Sequence, residues 1–339
     1  MRLALGLLAL LWCGTAVQAD ELHLYNWQDY VAPEAIARFE ADTGIRVVLT
    51  TYASNEDMYA GVRQEPGRFD LIVPDQYMVA RMAAEGLLEP FDGTTLSHFY
   101  NLEPAWIGTP HDPTNRFSVP YLCGTTSFAV DSQALPEVPA SLATLFQPPA
   151  AANGRIALLA ELDEVFALAA LYLGVPICTE SAVDLGRIDS VLSRLRPQIA
   201  AFPKENLPRS IADSRYLMHM AWNGDVLRAR ASRPAMTFVY PREGVLAWLS
   251  AMAIPKGAPN KAAALRFIDF LLLPEIAALQ TEYTGFANAV QGSDVFLAPE
   301  MQRAPEFAVP PSVRMTFLPR CSDDALAKRR KVLESLEAD

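Results

Sequence analysis

The sequence predicts an α/β protein of about two domains. Three observations carry that reading. Strand-like and helix-like periods alternate between Leu22 and Gly86, a second strand and helix set follows a proline-rich spacer, and the 339 residues exceed one domain of ordinary size. With 51% hydrophobic and 20% charged residues, the composition is that of a globular chain.

Met1-Arg2, the apolar run Leu3 to Trp12 and the small residues before Asp20 have the regions of a secretory signal peptide, so residues 1–19 are expected to be removed. The run is too short to span a membrane, and no later stretch reaches about 18 apolar residues without charge. Cys13 follows Trp12, a poor fit to lipid attachment. A free periplasmic protein is expected.

The period-2 pattern Leu22, Leu24, Asn26 predicts a short, partly buried strand. Pro33 suits a first helical turn, where its missing N–H would have no partner. Ile36 and Phe39 follow at helical spacing, and Gly44 is the expected stop. Trp27, Gln28, Asp29 and Tyr30 thus occupy a strand-to-helix corner, where open α/β sheets bind ligands. The plainer alternative is a Trp covering core and an Asp capping the helix.

Ile45 to Tyr52 reads as a strand, Asn55 as the cap of the next helix, and Phe69 to Val73 as a short buried strand broken by Pro74-Asp75-Gln76-Tyr77. Met78 to Glu85 reads as helix up to Gly86, and Phe91 to about Tyr121 as loop. Thr125 to Val130 is β-like. Beyond Pro136, Pro139, Pro148 and Pro149 a second lobe is expected, with a strand and helix pair from Arg155. Its helices are Val165 to Leu173, Ile188 to Leu195 and the region of Ile211, and its strands Met218 to Ala221, Met236 to Tyr240 and Leu246 to Ile254. Lys261 to Leu272 is an amphipathic helix interrupted before Pro274, and Ala325 to Glu337 is helical with an exposed charged face.

Three further stretches are candidates for a site. Glu161-Leu162-Asp163-Glu164 is an acidic cluster at a helix start, which would equally serve to stabilise that helix terminus by roughly 0.3–1 kcal/mol. Trp222-Asn223-Gly224-Asp225 repeats the Trp and Asp chemistry of the first corner, with Gly224 permitting a close approach. Tyr240 to Ser250 is a strand, a turn and a second strand bearing Trp248, or else a plain hairpin with a core Trp.

The formal net charge of −11 disfavours nucleic acid and anionic membranes and suits a cationic ligand. Once Cys13 is removed, Cys123, Cys178 and Cys321 allow at most one internal disulfide, and buried free thiols are expected for most of them. Scattered His23, His98, His111 and His219, without HExxH, give metal catalysis little support. No metal or other cofactor is expected.

An alkylammonium ligand fits this mixture. Its charge favours ring faces by roughly 0.5–2 kcal/mol, and carboxylates accept its charge-assisted hydrogen bonds. Micromolar affinity needs about −8 kcal/mol net, so several rings and more than one acid must converge.

At these residues the chain resembles the bacterial periplasmic polyamine-binding proteins, the putrescine and spermidine receptors of ATP-driven importers. The resemblance rests on Leu24-Tyr25-Asn26-Trp27 with Asp29-Tyr30, Phe69 to Pro74, Glu164-Val165-Phe166, Trp222-Asn223-Gly224-Asp225 and Pro241-Arg242-Glu243-Gly244, in that order. It implies a two-lobed periplasmic binding protein of type II-like fold, with a hinge and an interlobe ligand cleft. The lobes it implies are 20–125 plus 251–292 and 126–250 plus 293–339. It also implies that Trp27, Tyr77, Trp222 and Trp248 form aromatic walls and that Asp29, Glu164 and Asp225 hold amino groups. Gln28 adds a polar contact, and Glu161 falls where the spermidine-binding branch has an acid. An ABC permease of the inner membrane is the implied partner, and a monomer is expected.

Two positions depart from the family pattern: Ser250 stands where an aspartate usually binds an amine, and Phe286 where a tyrosine is usual. The resemblance then implies a less polar end of the pocket, with weaker capture of a simple diamine or a shift to a different terminal group. Agmatine or an amino acid-like amine remains an alternative cargo, as does a ligand-sensing role. No G-x-S-x-G or comparable signature supports an enzyme. A glycoside hydrolase using Glu161, Asp163 and Glu164 is the least favoured reading, because it depends on a carboxylate separation that sequence does not give.

Overall fold

The computed structural model describes residues 20–337, so the expected signal peptide lies outside the described residues. β1 (Glu21–Trp27) runs into α1 (Pro33–Thr43), which begins at Pro33 and ends at Gly44 in the left-handed conformation with φ 71°. β2 (Arg46–Tyr52) precedes α2 (Asn55–Gln64). The cap of α2 is Ser54, whose side chain accepts from the Asp57 N–H, and not Asn55 as expected from sequence. Asn55 opens the helix and turns its amide toward Asp75 instead.

β3 (Leu71–Ile72) and α3 (Gln76–Ala84) complete the first strand and helix series. Short 3-10 turns fill the following loop, and β4 (Ser118–Asp131) begins seven residues before the β-like stretch read from sequence. Pro120 hid that start. It cannot donate to a ladder, and the register shifts between Pro120 and Leu122 to accommodate it.

The chain continues through α4 (Leu142–Phe146), β5 (Ile156–Ala157), α5 (Leu162–Leu173), α6 (Ala182–Leu195), β6 (Ile199–Ala201) and α7 (Leu207–Ala212). β7 (Met218–Trp222) leads directly into α8 (Asn223–Arg230), followed by β8 (Met236–Val239) and β9 (Val245–Ala253). β8 and β9 both pair with β4, at different stretches of it, so the segment around Trp248 is not a simple hairpin. α9 (Lys261–Leu271) gives way to α10 (Pro274–Thr284), where Pro274 opens a second helix. β10 (Ala287–Asn288), α11 (Pro299–Gln302), β11 (Met315–Phe317) and α12 (Asp323–Glu337) end the described chain.

The strand order is β2-β1-β3-β9-β4-β7-β5-β6, with β8 and β10 on β4 and β11 on β9. Two parallel groups, β2-β1-β3 and β7-β5-β6, flank the long antiparallel pair β4 and β9. The cores follow the same division. One gathers Leu22, Phe39, Phe99, Phe267 and Phe286 around the first group, and another gathers Phe128, Phe166, Leu192 and Met218 around the second.

The cysteines correct an expectation. Cys178 and Cys321 form a disulfide that ties the start of the C-terminal helix to the segment before α6, and among the described residues Cys123 alone is free. Their separation of 143 residues hid the pair, since only the fold brings their Cα atoms within 5.2 Å.

Candidate functional site

The two Trp corners form where strands end and helices begin. At the first, Asn26 is buried, and its side chain accepts the Trp27 N–H at 2.8 Å. Asp29 takes φ 53°, a conformation that Asp and Asn tolerate better than most residues. The Trp27 indole donates to the Val73 carbonyl at 2.9 Å, which fixes its ring beside Tyr52. At the second corner β7 passes into α8 without a loop, and the Trp222 ring stands edge-on to Trp27 at 6.3 Å.

Both corners open into one cavity that is continuous with solvent. All twelve residues singled out from sequence line it: Trp27, Gln28, Asp29, Tyr30, Tyr77, Glu161, Glu164, Trp222, Asp225, Trp248, Ser250 and Phe286. Gln28 and Asp29 are exposed, whereas Tyr30, Glu161, Glu164, Asp225, Trp248, Ser250 and Phe286 are buried.

Gly224 has the role read from its sequence position. A Cβ there would come within 2.4 Å of the Phe286 ring. Gly124 likewise makes room for Trp248, since a Cβ at that position would meet its ring at 2.4 Å. Trp248 and Phe286 then pack edge to face at 4.9 Å and close one side of the cavity.

The acids fall into two groups. Glu164 accepts from the Trp222 indole at 2.9 Å and from the Thr126 hydroxyl at 3.0 Å. Burial pushes its carboxyl up to about 8 against the lowering effect of the Trp222 bond. One oxygen of Glu161 is buried with no partner, and burial, followed by the neighbouring Glu56, Glu164, Asp75 and Asp163, holds this carboxyl well above its ordinary range. Among the described residues no ion pair neutralises Glu161 or Glu164. Asp163 pairs with Arg329 at 3.4 Å. The second group is Asp225, 4.0 Å from Arg228, with Asp29 near enough to raise it. Burial comes first among its causes and brings it to about 7.

Sequence reasoning missed Asp75, which lines the same cavity. Its carboxylate accepts from the Ser250 hydroxyl at 2.6 Å and from the Asn55 amide at 3.0 Å. The expectation of a less polar end at Ser250 is therefore corrected, because a charge-bearing group stands beside the serine. Tyr52, Asn55, Lys204 and Arg228 were missed as well. A signal for Asp75 was present two residues before Tyr77, in a turn read only as a strand breaker.

An aromatic cavity with buried carboxylates can hold a cation. Among the described residues no group of three or more His, Cys, Asp or Glu is placed to hold a metal ion, and no helix is long and apolar enough to cross a membrane.

The spermidine/putrescine-binding periplasmic protein of Salmonella typhimurium strain LT2 is 35% identical over 302 residues, covering 88% of this chain and 86% of that protein. The putrescine-binding periplasmic protein PotF of Escherichia coli K12 is 31% identical over 337 residues, covering 92% and 90%. A solved structure described as a putative spermidine/putrescine ABC transporter from Listeria monocytogenes superposes with a TM-score of 0.87 at 27% identity, covering 94% of this chain and 99% of the other. The architecture is that of the two-lobed periplasmic binding proteins. The family profile matches residues 34–309, and the chain belongs to the bacterial extracellular solute-binding proteins.

Proposed function

We propose that the protein captures a polyamine or a related cationic amine and delivers it to an inner-membrane ABC permease. One observation carries the reading: Glu161 and Glu164, with no ion-pair partner among the described residues, share a cavity with the rings of Trp27, Tyr77, Trp222 and Trp248. Buried acids of this kind are costly unless a cation arrives, and the rings suit the ligand's methylenes and its charge. The periplasmic relatives at 35% and 31% identity support the same reading. The twelve residues singled out from sequence, all on the cavity wall, are assigned to ligand contact.

The lobes are assigned as 20–125 plus 251–292 and 126–250 plus 293–339, and the division of the cores to either side of β4 and β9 supports this. The ligand engages one lobe, and rotation about the crossing strands brings the other over it. The protein acts in the periplasm as a monomer, takes no nucleic acid, and has a transport role without catalysis.

Calorimetry with putrescine, cadaverine, spermidine, agmatine and γ-aminobutyrate tests the assignment. Micromolar or tighter binding of spermidine or putrescine, with compaction in small-angle scattering, is expected; binding of none of these amines overturns it. Arg228 and Lys204 on the cavity wall favour one second reading, an amine that also carries a carboxylate. Preferential binding of γ-aminobutyrate would select it.

A further inference from the structure

Ser250 and Asp75 face each other across an isolated antiparallel bridge, flanked by the hydrogen bond from the Ala251 N–H to the Pro74 carbonyl at 2.9 Å. Side chains directly opposed in this way reach the same volume, so a carboxylate on either strand presents its charge in nearly the same place. Asp75 is the one that bears it here. Ser250 donates to one carboxylate oxygen at 2.6 Å, Asn55 donates to the other at 3.0 Å, and the Asn55 side-chain oxygen accepts the Asp75 N–H at 3.0 Å. The Tyr30 hydroxyl lies 3.1 Å from the Ser250 hydroxyl and extends this polar chain.

The arrangement holds the carboxylate in one orientation with neutral groups only. Among the described residues no Lys, Arg or His forms an ion pair with Asp75, although it lines the cavity. Aspartate at both positions would place two like charges across one rung, and serine at both would leave none. A single charge on the β3 side, with a hydroxyl on the β9 side, preserves the count.

We propose that Asp75 is a specificity-determining residue, whose carboxylate receives an ammonium group of the ligand at the end of the cavity where Ser250 stands. The assignment rests on the cationic cargo proposed above. Ser250 positions Asp75 rather than replacing it, and the site keeps a cation-binding terminus despite having no aspartate at 250.

Spermidine and putrescine titrations of four proteins test this: wild type, Asp75→Asn, Asp75→Ser, and the exchanged pair Asp75→Ser with Ser250→Asp. Asp75→Asn keeps the shape of the side chain and loses its charge, so affinity should fall roughly 10- to 100-fold with the ligand-free melting temperature little changed. Asp75→Ser should lose at least as much, and the exchanged pair should recover most of it. A merely structural Asp75 would not be rescued by moving the charge across the rung. Wild-type binding that Asp75→Asn leaves within twofold overturns the assignment alone, as does an exchanged pair that is folded but binds no better than Asp75→Ser. A wild-type protein that binds neither amine overturns the cargo and this assignment together.

Discussion

Asp225 and Glu164 are both buried carboxylates on the wall of one cavity, yet they are balanced differently. Asp225 has a resident cation, Arg228 at 4.0 Å, whereas Glu164 is held by the neutral Trp222 indole and Thr126 hydroxyl. Glu161 and Asp75 stand with Glu164, also without a cation among the described residues. Removing a charged group from water costs several kcal/mol unless it is paired, so the group without a cation gains most when a polyamine enters. The Asp225 group must share its charge with Arg228 and gains less.

The largest effect is expected at Glu164. Glu164→Gln removes the charge while keeping a side-chain oxygen for Trp222, and spermidine affinity should fall about 100-fold. Asp225→Asn should cost about 10-fold or less by the same titration, because Arg228 already offsets that carboxylate. Equal losses at the two positions would break the contrast between the groups.

A smaller effect concerns stability. Glu164 has an ordinary value of 4.5 and is pushed up to about 8 in the ligand-free fold, and Asp225 rises from 3.8 to about 7. Between those limits the folded chain binds more protons than the unfolded one. The stability these groups contribute is complete below their unfolded values and is lost as pH rises through about 7 to 8. The ligand-free melting temperature should therefore decline across that window, and the increase given by saturating spermidine should grow. Thermal denaturation at several pH values with and without ligand checks both trends.

Most of the framework is legible in local chemistry. Pro33 and Gly44 bound α1, and the strand periods of Leu22 to Asn26 and Met218 to Ala221 appear as β1 and β7. The Trp and Asp pairs at the two corners are visible because each sits where a strand period gives way to a helix. What escaped notice depends on contacts between distant segments. Asp75 becomes part of the site only because β9 returns to face it 175 residues later, and Cys178 meets Cys321 only when the chain's end folds back. Pro120 concealed the first part of β4, since a proline argues against a strand until a register shift admits it. Ser250, read alone, indicated a lost charge. With its partner in view, the charge is relocated.

The most direct test of uncompensated carboxylates receiving the ligand's charge is the number of protons released on binding. Calorimetric titration of spermidine near neutral pH, in two buffers of different ionisation enthalpy, measures it. A carboxyl pushed up to about 8 is largely protonated in the empty site and must ionise to hold an ammonium group. Release of at least about one proton per ligand, declining as the pH is raised above that value, is the expected result. Tight binding with the same apparent enthalpy in both buffers would contradict the account.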